Sequence, residues 1–183
     1  MIILGISGKK RSGKNMVADL ISEIVTGVKH YAYADVVKRT AAVSLGLPVN
    51  YFFDDMNKIK AIQVSDDNYM LGRQILQNTG KYLRAIDKDI LVFSVMNSIK
   101  NDAPDIAIIT DVRLPHEYDS IKNAGGFIIR VDRNTQLQDD TDITETALDS
   151  HTFDYLINNN HPKNSPAIKQ QILQALLKLD IIK

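Results

Sequence analysis

The sequence predicts an α/β protein in which helices cover both faces of a mostly parallel sheet. Short apolar runs alternate with longer segments whose apolar residues recur at helical spacing. The first run, residues 2–6, is continuously apolar before the chain reaches the glycine of residue 8, which is typical of a strand buried on both faces. This alternation favours three layers, with the sheet between two layers of helices.

Five strands and six helices are predicted in chain order. The strands lie at residues 2–6, 30–34, 106–109, 127–131 and 153–157. The helices begin near Met16, at an N-cap on Asp35, at Tyr69, at Asp87, near Glu117 and at Ile168. Residues 48–68 are polar and predicted to be irregular.

The composition narrows the class of protein. At 183 residues with 44% hydrophobic residues, the chain is predicted to form one domain over 1–183. Lysine plus arginine equals aspartate plus glutamate, at 22 each, which disfavours binding to polymeric nucleic acid. The chain has no cysteine and no membrane-length apolar run, so we expect a cytoplasmic protein without a membrane anchor.

Residues 133–150 lack apolar periodicity and are predicted to form a lid-like segment.

A phosphate-binding motif follows the first predicted strand. Residues 8–15 fit the pattern G-x-x-x-x-G-K-[ST] except at the last position. A loop between a strand and a helix directs backbone N–H groups at an anion, and we expect ATP to bind there. The candidate residues are Gly8, Lys9, Lys10, Arg11, Ser12, Gly13, Lys14 and Asn15.

Two residues of this motif have individual roles. Lys14 is the expected catalytic cation, because it can reach the β- and γ-phosphates. Asn15 replaces the usual serine or threonine that ligates Mg²⁺, and its amide oxygen could bind the metal or hold a metal-bound water.

Charged residues after the strand at 106–109 suggest a second part of the site. Asp111 comes where a parallel sheet places functional groups, so it is either a metal-binding carboxylate or the cap of the next helix. Arg113 is the expected contact to an acceptor phosphate. Glu117, four residues on, is expected to orient the Arg113 guanidinium if the turn between them is helical.

An ordered series of motifs runs along the chain, at residues 10–15 with 18–19, 34–38, 72–77 with 80 and 84, 110–113 with 116–117, 125–126, 130–133, 141–145 and 154–159. This series resembles the phage deoxynucleoside monophosphate kinase family and its bacterial relatives. One departure is Asp142, where the family usually has histidine.

The resemblance implies a three-layer P-loop kinase fold, with ATP and Mg²⁺, a deoxynucleoside monophosphate acceptor and a homodimer. It also implies that the acceptor is bound by Asp35, Lys38, Arg73, Gln77, Arg113 and Glu117. Two alternatives stay open at this point: a P-loop kinase with another small acceptor, and a P-loop switch protein. The sequence shows no residue positioned to activate water, which a switch usually requires.

Overall fold

The structure of the chain, a computed structural model, describes residues 1–134, 146–161 and 165–183. The chain divides into two compact units, one of Met1–Tyr31 with Ile99–Lys183 and the other of Ala32–Ser98. We call them the sheet unit and the insert unit. The predicted single domain over 1–183 stays a prediction.

The sheet unit contains a parallel sheet of five strands among the described residues. They are β1 (Ile2–Ser7), β2 (Val28–Tyr31), β5 (Ile106–Val112), β6 (Phe127–Asp132) and β7 (Tyr155–Asn158). Their order across the sheet is β2-β5-β1-β6-β7, and every pairing is parallel. The carboxyl ends of β5, β1 and β6 therefore meet at one edge of the sheet, where α/β proteins bind their ligands.

Helices cover both faces of this sheet. On one face, α1 (Lys14–Ile24) and α7 (Pro166–Lys178) bury Val17, Ile21 and Ile172 in a cluster with Leu4 and Ile6 of β1. Residue Gly5 alternates with these strand residues and so faces the other way. A Cβ at Gly5 would approach Ile121 of α6 (Pro115–Asn123), which places α6 on the opposite face.

The insert unit combines helices with a two-stranded hairpin. Its elements are α2 (Tyr33–Ser44), a 3₁₀ turn (Tyr51–Phe53), α3 (Met56–Ile59), β3 (Ala61–Ser65), β4 (Asn68–Leu71), α4 (Gly72–Ile86) and the first part of α5 (Ile90–Asp102). The strands β3 and β4 are antiparallel. A separate core of Ala41, Ala42, Phe52, Ile62 and Ile75 holds these elements together.

The predicted three-layer α/β fold is confirmed, but several local predictions are wrong, among them the strand predicted at 30–34, which runs from Val28 to Tyr31. Residues 48–68 are not wholly irregular, because β3 and β4 pair across a turn at residues 66–67. No helix begins at Tyr69, which belongs to β4; the helix starts at Gly72. Asp35 is not the N-cap of α2, since Ala32 takes that place and Asp35 lies in the first turn. A carboxylate there still interacts favourably with the helix dipole.

The third strand of the prediction is longer than expected. Asp111 does not follow the strand: β5 runs through it to Val112. Between the pairs Gly5–Ile109 and Ser7–Val112, one residue of β1 faces two of β5, Thr110 and Asp111. This bulge lets the strand continue past polar residues that the sequence pattern treats as its end.

Among the described residues, no helix combines the length and the apolar character needed to span a membrane.

Candidate active site

The phosphate loop joins β1 to α1, and its two glycines adopt backbone conformations that other residues avoid. Gly8 has φ 150° and Gly13 has φ 99°. A Cβ at Gly8 would clash with the backbone oxygen of Val131, and one at Gly13 would clash with the side-chain amide of Asn159. The loop is therefore packed closely between β6 and the residues after β7, and both glycines are required by their surroundings.

Lys14 lies inside the loop. Its side chain is buried, and its Nζ donates hydrogen bonds to the carbonyl oxygens of Gly8 at 2.7 Å and Lys9 at 3.0 Å. The backbone N–H of Ser12 also donates to the Lys9 carbonyl, at 3.1 Å. The ammonium group thus draws the start of the loop around itself, which places a positive charge at the N-terminus of α1.

The loop has the polar groups that a phosphate chain needs. Ser12 is 1% exposed, yet its Oγ has no hydrogen-bond partner among the described residues. A buried hydroxyl without a partner is costly unless a ligand supplies one. With the Lys14 ammonium and the N-terminus of α1, this arrangement fits the phosphates of a nucleotide.

A cleft of about 280 Å³ opens beside the loop and brings Arg113 to it. The lining contains four cationic side chains, and is formed by Lys10, Arg11, Gly13, Lys14, Asn15, Met16 and Arg113. Clustered cations in a concave site strengthen the local positive potential although the net charge of the chain is zero. The cleft therefore suits a strongly anionic ligand, and Arg113 and the P-loop lysine face the same space.

The backbone that carries Arg113 is fixed by Glu117. Glu117 is 3% exposed, and its Oε2 accepts hydrogen bonds from the backbone N–H groups of Arg113, at 2.8 Å, and Leu114, at 3.0 Å. Pro115 is the first residue of α6, where its missing N–H costs nothing, but Leu114 is extended and Arg113 precedes it, so the turn between Arg113 and Glu117 is not wholly helical as the prediction required. The carboxylate holds the peptide groups before α6, and its expected role towards the acceptor stays a prediction.

The candidate metal ligands lie on different elements of the sheet unit. Asp111 is half-buried in the bulge of β5, and Asn15 lines the cleft at the start of α1. Among the described residues, no group of three or more histidine, cysteine, aspartate or glutamate side chains could hold a metal ion. Magnesium in kinases is held by one or two carboxylates together with substrate phosphates, and oxygen donors of this kind fit that pattern.

The other predicted acceptor contacts belong to the insert unit, and we call Asp35, Lys38, Arg73 and Gln77 the acceptor set. Lys38 donates to Asp35 across one turn of α2, at 2.7 Å, and its Nζ lies 4.5 Å from the ring centre of Phe53. Arg73 and Gln77 are exposed on α4, four residues apart and therefore on one face of that helix.

Two further residues contact the phosphate loop and were not predicted from the sequence. Asn159, in the turn after β7, donates from its side chain to the Ser12 carbonyl at 2.6 Å. Asp149 bonds Arg130 at 2.8 Å and lies 3.7 Å from the Lys9 ammonium. The only sequence signal was that both lie in segments similar to, or next to, the family motifs. Of the predicted lid at 133–150, residues 135–145 lie outside the described part of the chain.

Comparison with solved structures identifies the fold. Over 100% of both chains, the structure is similar to shikimate kinase from Aquifex aeolicus, with a TM-score of 0.53 and 13% identity. It also resembles dephospho-CoA kinase from Campylobacter jejuni, with a TM-score of 0.51 and 14% identity, over 97% of this chain and 96% of the other. With a phosphate loop between β1 and α1, the fold is that of the P-loop kinases.

Comparison of the sequence identifies the family. The family model described as deoxynucleotide monophosphate kinase matches residues 47–165, more than half of the chain. The chain belongs to this family and is a phosphotransferase. A protein of Acanthamoeba polyphaga mimivirus named "Putative deoxynucleotide monophosphate kinase" is 26% identical, over 87% of this chain and 89% of the relative. The predicted family, and a kinase rather than a switch protein, are thereby confirmed.

Proposed function

We propose that this kinase transfers the γ-phosphate of ATP to a deoxynucleoside monophosphate, giving ADP and the deoxynucleoside diphosphate. The observation that carries the proposal is the shared cleft, which Lys14 of the phosphate loop and Arg113 both line. A kinase that joins two anionic substrates needs cations facing both the transferred phosphate and the accepting one. The family match and the mimivirus relative support a deoxynucleotide as the acceptor.

The donor side of the proposal rests on the phosphate loop. Residues 8–15 would cradle the ATP phosphates, with Lys14 released from the Gly8 and Lys9 carbonyls to meet the β- and γ-phosphates. Lys10 and Arg11 would add positive charge where negative charge accumulates during transfer. Asp111 and Asn15 would be the protein donors to Mg²⁺, which would supply positive charge to the phosphates.

Each unit supplies candidate acceptor contacts: Arg113 belongs to the sheet unit and the acceptor set to the insert unit. Guanidinium groups bind phosphate through two parallel hydrogen bonds, so Arg113 and Arg73 are each suited to binding a phosphate. Lys38 and Asp35 form a preformed polar pair that could bind sugar or base, and Gln77 offers both a donor and an acceptor. Glu117 would contribute by holding the backbone of Arg113 in place.

No covalent intermediate is needed for this reaction. The acceptor phosphate oxygen attacks the γ-phosphorus as the bond to the ADP oxygen breaks, and the rate depends on alignment and on fixed positive charge. ATP and deoxynucleotides are intracellular metabolites, so the proposal places the enzyme in the cytoplasm. The homodimer implied by the family resemblance stays a prediction.

One assay tests the proposal directly. ADP release with ATP and Mg²⁺ is measured across all common deoxyribonucleoside and ribonucleoside monophosphates. Shikimate and dephospho-CoA, which are not nucleoside monophosphates, serve as control acceptors. We expect one or more deoxynucleoside monophosphates to give the highest kcat/KM. Turnover with a control acceptor, and none with any deoxynucleoside monophosphate, would contradict the proposed acceptor while leaving the kinase class intact.

A further inference from the structure

A buried asparagine outside the phosphate-binding motif of residues 8–15 contacts the phosphate loop. Asn159 follows β7, is 3% exposed and lies at the same edge of the sheet as the loop. Its backbone N–H donates to the carbonyl oxygen of Asp132, at the end of β6, at 2.7 Å. The main chain of this residue is therefore fixed to the sheet, independently of its side chain.

The side chain of Asn159 continues this connection to the loop. Its Nδ2 donates to the backbone oxygen of Ser12 at 2.6 Å, across 147 residues of sequence. A carbonyl oxygen only accepts hydrogen bonds, so the amide atom that faces Ser12 must be the nitrogen. Buried polar groups of this kind are costly to leave unpaired, which makes the contact specific for an amide donor.

The held carbonyl belongs to the peptide that joins Ser12 to Gly13. Because a peptide group is planar, fixing the Ser12 oxygen also fixes the direction of the Gly13 N–H on its other side. Gly13 precedes α1 in a left-handed conformation, and the same asparagine amide occupies the space that a Cβ would need. Lys14 holds the opposite end of the loop, through the Gly8 and Lys9 carbonyls.

We propose that Asn159 is a positioning residue for the nucleotide site, which keeps the Ser12–Gly13 peptide oriented so that its N–H faces the ATP phosphates. The inference rests on the proposed use of the loop as the ATP site. It assigns to this residue a role in binding the donor and none in binding the acceptor, since its contacts are with the loop and with β6.

Three variants and one control test this assignment. Asn159→Asp keeps the size and removes the donor, Asn159→Ala removes the whole amide, and Asn159→Ser keeps a small hydrogen-bonding group. Asn160→Ala is the matched control, because Asn160 is exposed in the same turn and its side chain accepts from the Asn134 N–H at 2.6 Å. Binding of ATP with Mg²⁺ is measured by calorimetry without an acceptor, and KM values are then measured for both substrates.

We expect the Kd and KM for ATP to rise about tenfold or more in the aspartate and alanine variants, and less in the serine variant. The acceptor KM, and all values for Asn160→Ala, should stay within about twofold of wild type. Unchanged ATP affinity in folded Asn159→Ala would overturn the proposal, and so would a loss confined to the aspartate variant, which reflects added charge. Failure of all three variants to fold would assign the residue to the fold and overturn the positioning role.

The calorimetric measurement of ATP binding tests the role of Asn159 independently of the proposed acceptor. Calorimetry with ATP alone needs no acceptor, so the wild-type chain can bind ATP and the variants can lose that binding whichever acceptor is phosphorylated. If no deoxynucleoside monophosphate were phosphorylated, the role of Asn159 in ATP binding would still hold. If one were phosphorylated but the variants bound ATP normally, the role of Asn159 would still be overturned.

Discussion

The phosphate loop and the acceptor set differ in how their functional groups are held. In the loop, Lys14 is buried and hydrogen-bonded to backbone oxygens, and neighbouring elements leave no room for side chains at Gly8 and Gly13. In the acceptor set, Arg73 and Gln77 are exposed on a helix surface. The loop is therefore preorganised by the fold, whereas substitutions at Arg73 and Gln77 should have little cost in stability.

Replacing the loop lysine should give the largest effect. Lys14→Ala removes the cation that meets the β- and γ-phosphates, and we expect kcat to fall about 1000-fold. The backbone of the loop keeps its glycines, so the circular dichroism spectrum should be retained. Lys169→Ala, which removes an exposed lysine 3.4 Å from Glu23 on the same unit, is the control and should be fully active. A folded Lys14→Ala variant with near wild-type turnover would refute the role of the loop.

Arg113 tests whether the fixed part of the site extends to the acceptor. Arg113→Ala should lose on the order of 2 to 4 kcal/mol of transition-state stabilisation, roughly 30- to 1000-fold in kcat/KM for the acceptor. Arg113→Lys should lose much of the same activity, because a lysine cannot form the two parallel bonds. Thermal stability should change little, since Glu117 binds the backbone at this position.

The internal control for Arg113 is the KM for ATP. It should stay near the wild-type value if the guanidinium binds the acceptor phosphate. An ATP KM that rises while the acceptor kcat/KM holds would move Arg113 to the donor side, and Arg73 would become the principal phosphate contact of the acceptor.

Arg73, an exposed member of the acceptor set, should affect substrate binding alone, and by less than Lys14 or Arg113. Arg73→Ala removes one charged hydrogen-bonding group, so we expect the acceptor KM to rise about tenfold with kcat and the melting temperature nearly unchanged. Lys88→Ala, which removes another exposed cation of the insert unit, is the control. If Arg73→Ala lowers the melting temperature substantially as well as raising the acceptor KM, the contrast between a loop fixed by the fold and an exposed acceptor contact is wrong.

Disrupting an ion pair outside the candidate site should give the smallest effect. That effect is on the stability of the fold and not on activity. Asp102 bonds the Lys29 ammonium at 2.7 Å and the Tyr31 hydroxyl at 2.8 Å. The lysine, and then the tyrosine, lower the pKa of Asp102 below its ordinary value of 3.8. Burial, together with the nearby Asp102 carboxylate, raises the pKa of Tyr31.

The direction of the pH effect follows from these shifts. A lowered folded-state pKa means that Asp102 contributes stability above its unfolded pKa, and that this contribution is lost as the pH falls through the folded value. Asp102→Asn should therefore lower the melting temperature slightly near pH 6, and the difference should vanish as the pH falls through the lowered folded-state pKa of Asp102. Asp119→Asn, an exposed carboxyl on α6, is the control. A difference that is independent of pH would contradict the ion pair.

The two regions also differ in what the sequence alone could predict. The loop could be read from the sequence because its eight residues are contiguous and follow a buried strand. Asn159 could not, because 147 residues separate it from its partner and an asparagine in a run of three is an ordinary turn signal. A contact between residues far apart in the chain leaves little signal in the sequence around either residue.

The hairpin of β3 and β4 shows a second reason for missed structure. Only Ile62 and Val64 alternate with polar residues in β3, and the turn at residues 66–67 is a pair of aspartates that suggests an irregular loop. Its strands have five and four residues, so the alternation of apolar and polar residues is too short to distinguish from a chance arrangement. Glu117 was placed within reach of residue 113 by helical spacing, but spacing did not reveal that its carboxylate binds backbone N–H groups.

The bulge in β5 lets the strand carry one extra residue without losing its register with β1. Two residues, Thr110 and Asp111, occupy the space opposite one residue of β1. Deleting Thr110 would restore a regular ladder in which Asp111 lies opposite Ile6, while Val112 would stay opposite Ser7 and keep its face of the sheet. A change of length at this point would therefore move only the residues of the bulge, and the rest of the strand would keep its pairing.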